Sequence, residues 1–430
     1  MMRITSYNCN FEREPLIKPF GFKGGNLTEL WQTVVRFKDD KGNSCTGLGL
    51  QSVLWSDNQI FFSNPEASGN AIMFQITAFA AKAAVGIEWN TPLELLEKIL
   101  PQAHEYGKAI SSSQNLRLTF VLNALVPVDN AAWQLYANNN PGRLFDELLD
   151  DATRSALNMR HDTLASVPLI SYGVDEAEIR KLLNNGICLL KIKIGSDPDS
   201  DGSKEKMVEW DKQRFSMIHR IAKNYRTEYT ENGRIMYYLD ANSRYDSKER
   251  VMDFLDHAKQ IEALDLILIL EEPFPEECLN DVSEIPVPIA ADESAHSDTH
   301  AEERIQAGYS IIALKPIAKT MSMSLKIAEL AHRKGVQCFC ADLTVNPTMV
   351  EWNKMVASRL PSLKGMKVGI LETNGAQNYK NWETMLSWNP GYGKQWAEEN
   401  QGIFKLDKEF YNENAGIFIE PSHYSSLATI

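Results

Sequence analysis

Positive charge is scarce in this sequence of 430 residues: 44 lysines and arginines stand against 57 aspartates and glutamates, a net charge of −13. No basic patch interrupts that deficit, which argues against a nucleic-acid partner and against an anionic membrane surface. Long apolar runs are also missing. None approaches the roughly 20 residues needed to span a bilayer. The start, Met1-Met2-Arg3-Ile4-Thr5-Ser6, carries no apolar core of a secretory signal. Cysteine is sparse, with six residues at 9, 45, 188, 278, 338 and 340, scattered rather than spaced as a disulfide framework. Cys338-Phe339-Cys340 has the form of half a zinc site. No second pair with metal spacing accompanies it, so two buried strand cysteines are the better reading. A cytoplasmic protein fits these absences.

What remains is ordinary globular material, 43% hydrophobic and 23% charged. The length allows more than one domain, although one α/β barrel alone uses about 250 residues. Residues 1–165 read as α+β. Leu30–Phe37 and Ser44–Leu50 flank the turn Asp39-Asp40-Lys41-Gly42-Asn43 and predict an antiparallel hairpin. Before it, Phe20-Gly21-Phe22-Lys23-Gly24-Gly25 is glycine-rich and aromatic. It is either a flap over a site or a plain surface loop. Helices are predicted from Thr91, an N-cap followed by Pro92, over Phe120–Ala137, and from Arg143 to Leu149.

From about residue 167 the rhythm changes to short apolar strands alternating with amphipathic helices. Eight strands are predicted: Val167–Tyr172, Cys188–Ile194, Ile235–Asp240, Leu266–Glu271, Val287–Asp292, Ile311–Lys315, Val336–Asp342 and Val368–Glu372. Eight such repeats close into a (β/α)7-8 TIM-like barrel. The doubly wound alternative lacks a glycine-rich phosphate turn after any strand. The reading is therefore a barrel over 166–375 behind an N-terminal α+β domain over 1–165, which the tail 376–430 completes. Gly416–Ile419 is the last predicted strand. The acidic run Ser196–Gly202 lacks the glutamate of a calcium loop and reads as a solvated loop before a long surface helix.

Leu189-Leu190-Lys191-Ile192-Lys193-Ile194-Gly195 is the stretch that needs explaining. It is a buried strand with two lysines on one face. Desolvation and like-charge repulsion both oppose such a pair. Either the strand lies at an edge with both lysines in solvent, or anions face them.

The following strands supply the anions. The third ends on Asp240, the fourth on Glu271 and the fifth on Asp292. In a barrel these ends converge on one mouth, where three bare carboxylates repel. A divalent cation resolves this, and an all-oxygen set suits Mg²⁺, with Mn²⁺ as the alternative. The sixth strand ends on Lys315, across the mouth from Lys193. Two lysines on opposite faces of one carbon can remove a proton from one side and return it from the other. The cation would hold a substrate carboxylate and stabilise the enediolate left behind.

Lys191-Ile192-Lys193, Asp240-Ala241-Asn242, Glu271-Glu272-Pro273, Asp292-Glu293-Ser294 and Lys315, in this order, resemble the enolase superfamily, within it the muconate-lactonising and dipeptide-epimerase branch. The resemblance covers the barrel and makes the first region a capping domain. It implies that Asp240, Glu271 and Asp292 bind Mg²⁺ and that Lys193 and Lys315 are the acid/base pair. Lys191 would neutralise the substrate carboxylate, and Asn242 and Glu293 would support the ligands. It also implies a homo-oligomer acting on a small-molecule carboxylate. The seventh strand, Gln337–Asp342, ends without the histidine of the mandelate-racemase and dehydratase branches, which disfavours those reactions. After the eighth strand, Glu372-Thr373-Asn374 stands where dipeptide epimerases carry Asp-x-Asp. Asp342, Glu372 and Asn374 are thus the candidate substrate contacts, together with the Phe20–Gly25 segment and the region of Trp55. The implied reaction is racemisation or epimerisation of an amino-acid derivative or dipeptide. The alternatives are cycloisomerisation, dehydration as in o-succinylbenzoate synthases, or a non-catalytic binding homologue.

Overall fold

The structure is a computed structural model and describes residues 1–22 and 24–429. The first region is built on an antiparallel sheet of β1 (Met2–Phe22), β2 (Gly25–Asp39), β3 (Ser44–Gln51) and the short β4 (Glu88–Trp89), in the order β3-β2-β1-β4. The predicted hairpin is therefore β2 and β3. Strand β1 was not legible, because its exposed positions are mostly polar and Pro15 and Pro19 interrupt it. The Phe20–Gly25 segment forms the turn of the β1–β2 ribbon, with Phe20 paired to Leu27; Lys23 lies outside the described residues.

The helix Leu118–Asn138 lies directly on β3. Glycine permits the contact: a Cβ at Gly47 would stand 2.0 Å from the Pro127 carbonyl oxygen. Thr91 caps the helix Pro92–Ser111, accepting from the Glu94 N–H at 3.2 Å. The helix predicted from Arg143 is reduced to one turn, Phe145–Leu148, and a new helix, Asp151–Ala156, starts on the Asp150 cap.

The parallel strands follow: β5 (Thr163–Val167), β6 (Leu169–Ile170), β7 (Leu189–Lys193), β8 (Met236–Asp240), β9 (Ile267–Glu271), β10 (Ile289–Ala291), β11 (Ile311–Leu314), β12 (Gln337–Cys340) and β13 (Gly369–Glu372). β5 pairs with β13 and β6 with β7, so the run 163–170 joins the last strand to the second and completes the ring. The first strand begins earlier than predicted and breaks at Pro168, which has no N–H for the ladder. The other seven strands lie within their predicted ranges. They are buried on both faces, as parallel strands covered by helices must be. Cys338 and Cys340 are buried residues of β12.

The tail adds β14 (Ile403–Lys405), antiparallel to β5. It then reaches the first region: the Asn8 and Asn10 amides donate to the carbonyls of Thr429 and Leu427 at 2.7 and 2.8 Å. The strand predicted at Gly416–Ile419 does not form. Asn414–Gly416 is a 3-10 turn with Ala415 and Gly416 at positive φ, which cannot extend.

Candidate active site

Cross-strand register assembles the mouth. Lys191 pairs with Tyr238, Lys193 with Asp240, and Asp240 in turn with Glu271. Side chains at i and i+2 share a face, so two lysines, a tyrosine and two carboxylates point into one space. The edge-strand reading of β7 is thereby removed, since Lys191 and Lys193 are 3% and 7% exposed. The backbone is strained where the strands end. Asn242, Ser243, Glu272 and Thr344 all have positive φ without being glycine, a concentration typical of functional rims.

Lys191 is bound on all sides. Its Nζ lies 2.8 Å from the Tyr238 hydroxyl, 2.9 Å from Asp240, 3.0 Å from Glu372 and 3.4 Å from Glu271. Burial opposes its charge, but the carboxylates of Asp240, Glu271 and Glu372 outweigh that and hold its pKa well above the usual lysine range. Lys193 donates to Asp240 Oδ2 at 2.6 Å and to Asn242 Oδ1 at 2.5 Å. Asn242 passes the contact on, donating to Glu293 at 3.2 Å.

The opposite flank is β11. Lys315 donates to Asp292 Oδ2 and lies 4.5 Å from the ring centre of Trp55. The Trp55 indole N–H points at the same Asp292 oxygen at 3.4 Å. Lys319, four residues on in the turn after β11, is fully buried. It donates to the Asp292 carbonyl at 2.5 Å and stands 3.3 Å from Asp292 Oδ1. Burial lowers the pKa of Lys319, whereas at Lys315 the carboxylates of Asp292, Glu271 and Glu293 overcome burial and raise it.

Glu271, Asp292 and Glu293 offer one oxygen each within 4.8 Å of one another, and all three are buried. Asp240 neighbours Glu271 in the sheet but turns one oxygen to the two lysines of β7. Glu293, expected as a support, thus stands in the cluster itself. A divalent cation fits this set. Burial, with Asp292 and Glu372 nearby, pushes Glu271 up to about 8, and burial beside Glu293 pushes Glu272 up to about 7. Asp292 Oδ1 and Glu272 Oε1 accept no hydrogen bond. The donors are oxygens only, as Mg²⁺ or Mn²⁺ prefers.

Asp342 and Glu372 close the third side. Glu372 accepts from the Asp342 N–H at 3.1 Å, and Asp342 accepts from the Asn374 N–H at 2.8 Å. Burial and Glu372 push Asp342 up to about 6. Phe20 and Leu27 from the β1–β2 ribbon, Trp55, Leu169 and Leu343 line the same cavity. The candidate lysines, carboxylates and asparagines of the sequence analysis therefore line one cavity, with Trp55 and, of the Phe20–Gly25 segment, Phe20. Tyr238 and Lys319 were missed. Tyr238 was readable, two residues before Asp240 and so on its face; Lys319 follows no periodic signal.

Residues 175–364 match the family model described as enolase C-terminal domain-like. The matched segment spans the barrel from before β7 to before β13. No curated protein matches the sequence. Among solved structures, the chain is similar to the N-succinyl Arg/Lys racemase from Bacillus cereus ATCC 14579, with TM-score 0.68 and 14% identity over 100% of this chain and 99% of that one. It is similar to the dipeptide epimerase from Enterococcus faecalis V583 complexed with Mg and L-Leu-L-Tyr, with TM-score 0.64 and 17% identity over 94% and 98%. It is also similar to the L-Ala-D/L-Glu epimerase from Bacillus subtilis, with TM-score 0.63 and 17% identity over 94% and 97%. At these identities the likeness establishes the enolase-superfamily fold. Among the described residues no helix is long and apolar enough to cross a membrane.

Proposed function

We propose that this enolase-like protein removes the proton α to a carboxylate and returns it, racemising or epimerising an amino-acid derivative or dipeptide. The observation that carries the reading is that Lys193 ends the second strand of the ring and Lys315 directly follows the sixth, with the carboxylate cluster between them. Glu271, Asp292 and Glu293, with Asp240 beside them, would hold Mg²⁺ or Mn²⁺. Such a cation supplies counter-charge to the substrate carboxylate as the α-carbon becomes acidic.

The chain does the rest. Lys191, fixed by its acidic partners, stays an ammonium and adds positive charge beside the site. One of Lys193 and Lys315 takes the proton at Nζ, and the other delivers one to the opposite face. Asn242 orients Lys193, and Trp55 covers Lys315. Asp342, Glu372 and Asn374 present acceptors to the far end of a substrate, which suits one carrying a donor such as an amide or ammonium. The relatives named above act on N-succinyl amino acids or dipeptides, which supports the substrate class. Residues 1–165, completed by 376–430, would serve as the cap that chooses the substrate.

The test is α-proton exchange in D₂O with Mg²⁺, followed by ¹H NMR on pooled dipeptides, N-acyl amino acids and simple carboxylates. Loss of an α-proton signal with wild type, and not with Lys193→Ala, Lys315→Ala double substitution, supports the proposal. Product analysis of the responding pool then separates racemisation from ring opening or elimination. Metal binding without exchange in any pool contradicts it.

A further inference from the structure

The end of β7 is held by a carboxylate that lies outside the mouth. Asp211, on the helix Lys204–Ala222, is fully buried. Its two oxygens accept the Gly195 N–H at 2.9 and 2.8 Å, the Ser196 N–H reaches Oδ1 at 3.5 Å, and the Tyr245 hydroxyl donates to Oδ2 at 2.8 Å. Two further side chains take the carbonyls of the same turn. Arg244 Nε donates to Gly195 and the Tyr172 hydroxyl to Ile194, each at 3.1 Å. Gly195 sits at φ +81°, and a Cβ there would stand 2.5 Å from Arg244 Cβ. Turn and clamp are built for each other.

A buried carboxylate is costly unless it is hydrogen-bonded, and three donors meet this one. Burial nevertheless pushes Asp211 up to about 7, because the charged form loses its contact with water. Lys193 precedes Gly195 by two residues, so any movement of the turn is passed to a side chain that must reach Asp240 and Asn242 at once. The end of β11 has no such carboxylate clamp among the described residues; Lys319 and backbone bonds hold it.

We propose that Asp211 is a positioning residue for Lys193: its carboxylate fixes the turn at Gly195, and so the reach of the Lys193 ammonium, without a matching effect on Lys315. The proposal rests on the reading of Lys193 as one of two bases. A merely structural role would weaken the fold and disturb both lysines alike.

The experiment uses the full-length protein labelled with ¹³Cε-lysine, with the Lys193 and Lys315 signals assigned through Lys193→Arg and Lys315→Arg. Asp211→Asn should move or broaden the Lys193 signal and leave that of Lys315 in place. Tyr245→Phe keeps the carboxylate and removes one donor, so it should do the same to a smaller degree, and it serves if Asp211→Asn does not fold. Unmoved signals, or equal movement of both, overturn the proposal. A second readout is Mg²⁺-dependent α-proton exchange from separate L and D forms of N-acetylated amino acids. Asp211→Asn should slow one form relative to the other by on the order of 10- to 100-fold, and an equal loss for both forms overturns the proposal. Absence of exchange with wild type counts against Lys193 as a base, while the lysine signals still decide whether Asp211 positions it.

Discussion

The two flanks of the barrel mouth carry the same chemistry on different supports. On β7, Lys191 and Lys193 sit two residues apart on one face, and each is bound by carboxylates or an amide. On β11, Lys315 and Lys319 sit four residues apart, beyond the last strand residue. Lys319 donates to two backbone carbonyls beside the Asp292 carboxylate, and an indole from the first region covers Lys315. One flank is held from within the barrel and the other partly from outside it. If Lys193 and Lys315 are the two bases proposed above, they need not respond equally to changes in the first region, whose Trp55 stands over Lys315.

Breaking either base is the largest perturbation. Lys193→Ala and Lys315→Ala should each lower racemisation by about 10²- to 10⁴-fold, measured as loss of optical rotation of the responding substrate. Removing the cation should be nearly as severe. Chelation should abolish turnover, and Mn²⁺ or Mg²⁺ should restore it. Added Mg²⁺ should raise the melting temperature of wild type, by about 2.7 kcal/mol of stability at a hundredfold excess over its Kd. Glu271→Gln should lose that rise.

Trp55→Leu sharpens the comparison. A cation–π contact is worth about 0.5 to 2 kcal/mol. Its loss should slow the Lys315-dependent exchange a few-fold or more and leave the Lys193-dependent exchange near wild type. Equal slowing would mean that the cap serves both flanks.

The smallest effect lies away from the mouth, where the first region meets the barrel. Asp129 accepts from the Ser322 hydroxyl at 2.6 Å and from its N–H at 3.0 Å, and burial pushes its pKa up to about 7. The folded state therefore binds the proton more tightly than the unfolded chain, whose aspartates titrate near 4. This group's contribution is full below that value, declines as pH rises toward 7 and is level above, by at most about 1.4 kcal/mol per pH unit. Asp129→Asn should gain on wild type in urea titrations as pH rises from 5 to 8, without altering the ratio of the two exchange rates.

The barrel and its site were largely legible because both follow period-two geometry. A strand that ends on a carboxylate announces its position in sequence, and so does a pair of lysines at i and i+2. Tyr238 obeyed the same rule but offered no charge to draw the eye. Lys319 reaches the mouth from a loop, where no local pattern encodes the contact, and Trp55, a candidate in the sequence only by its region, reaches it from the first 165 residues. Strand β1 was lost because a ribbon whose exposed positions are mostly polar and are broken by prolines resembles a loop. Pro168 moved the first barrel strand for a reason visible in the sequence. The turn at Ala415-Gly416 defeated the strand predicted there, since four apolar-looking residues do not reveal a positive φ. Asp211 is the instructive miss: in a helix full of charge, one buried carboxylate looks like all the others.

The central claim is that two lysines on opposite flanks serve opposite faces of one carbon. Its most direct test is the α-proton exchange of separate L and D substrate in D₂O by Lys193→Ala and by Lys315→Ala. The account predicts crossed behaviour, each variant still exchanging the enantiomer that the remaining lysine faces while failing to interconvert the two. Loss of exchange from the same enantiomer in both variants would contradict it, because one lysine alone would then be touching the proton.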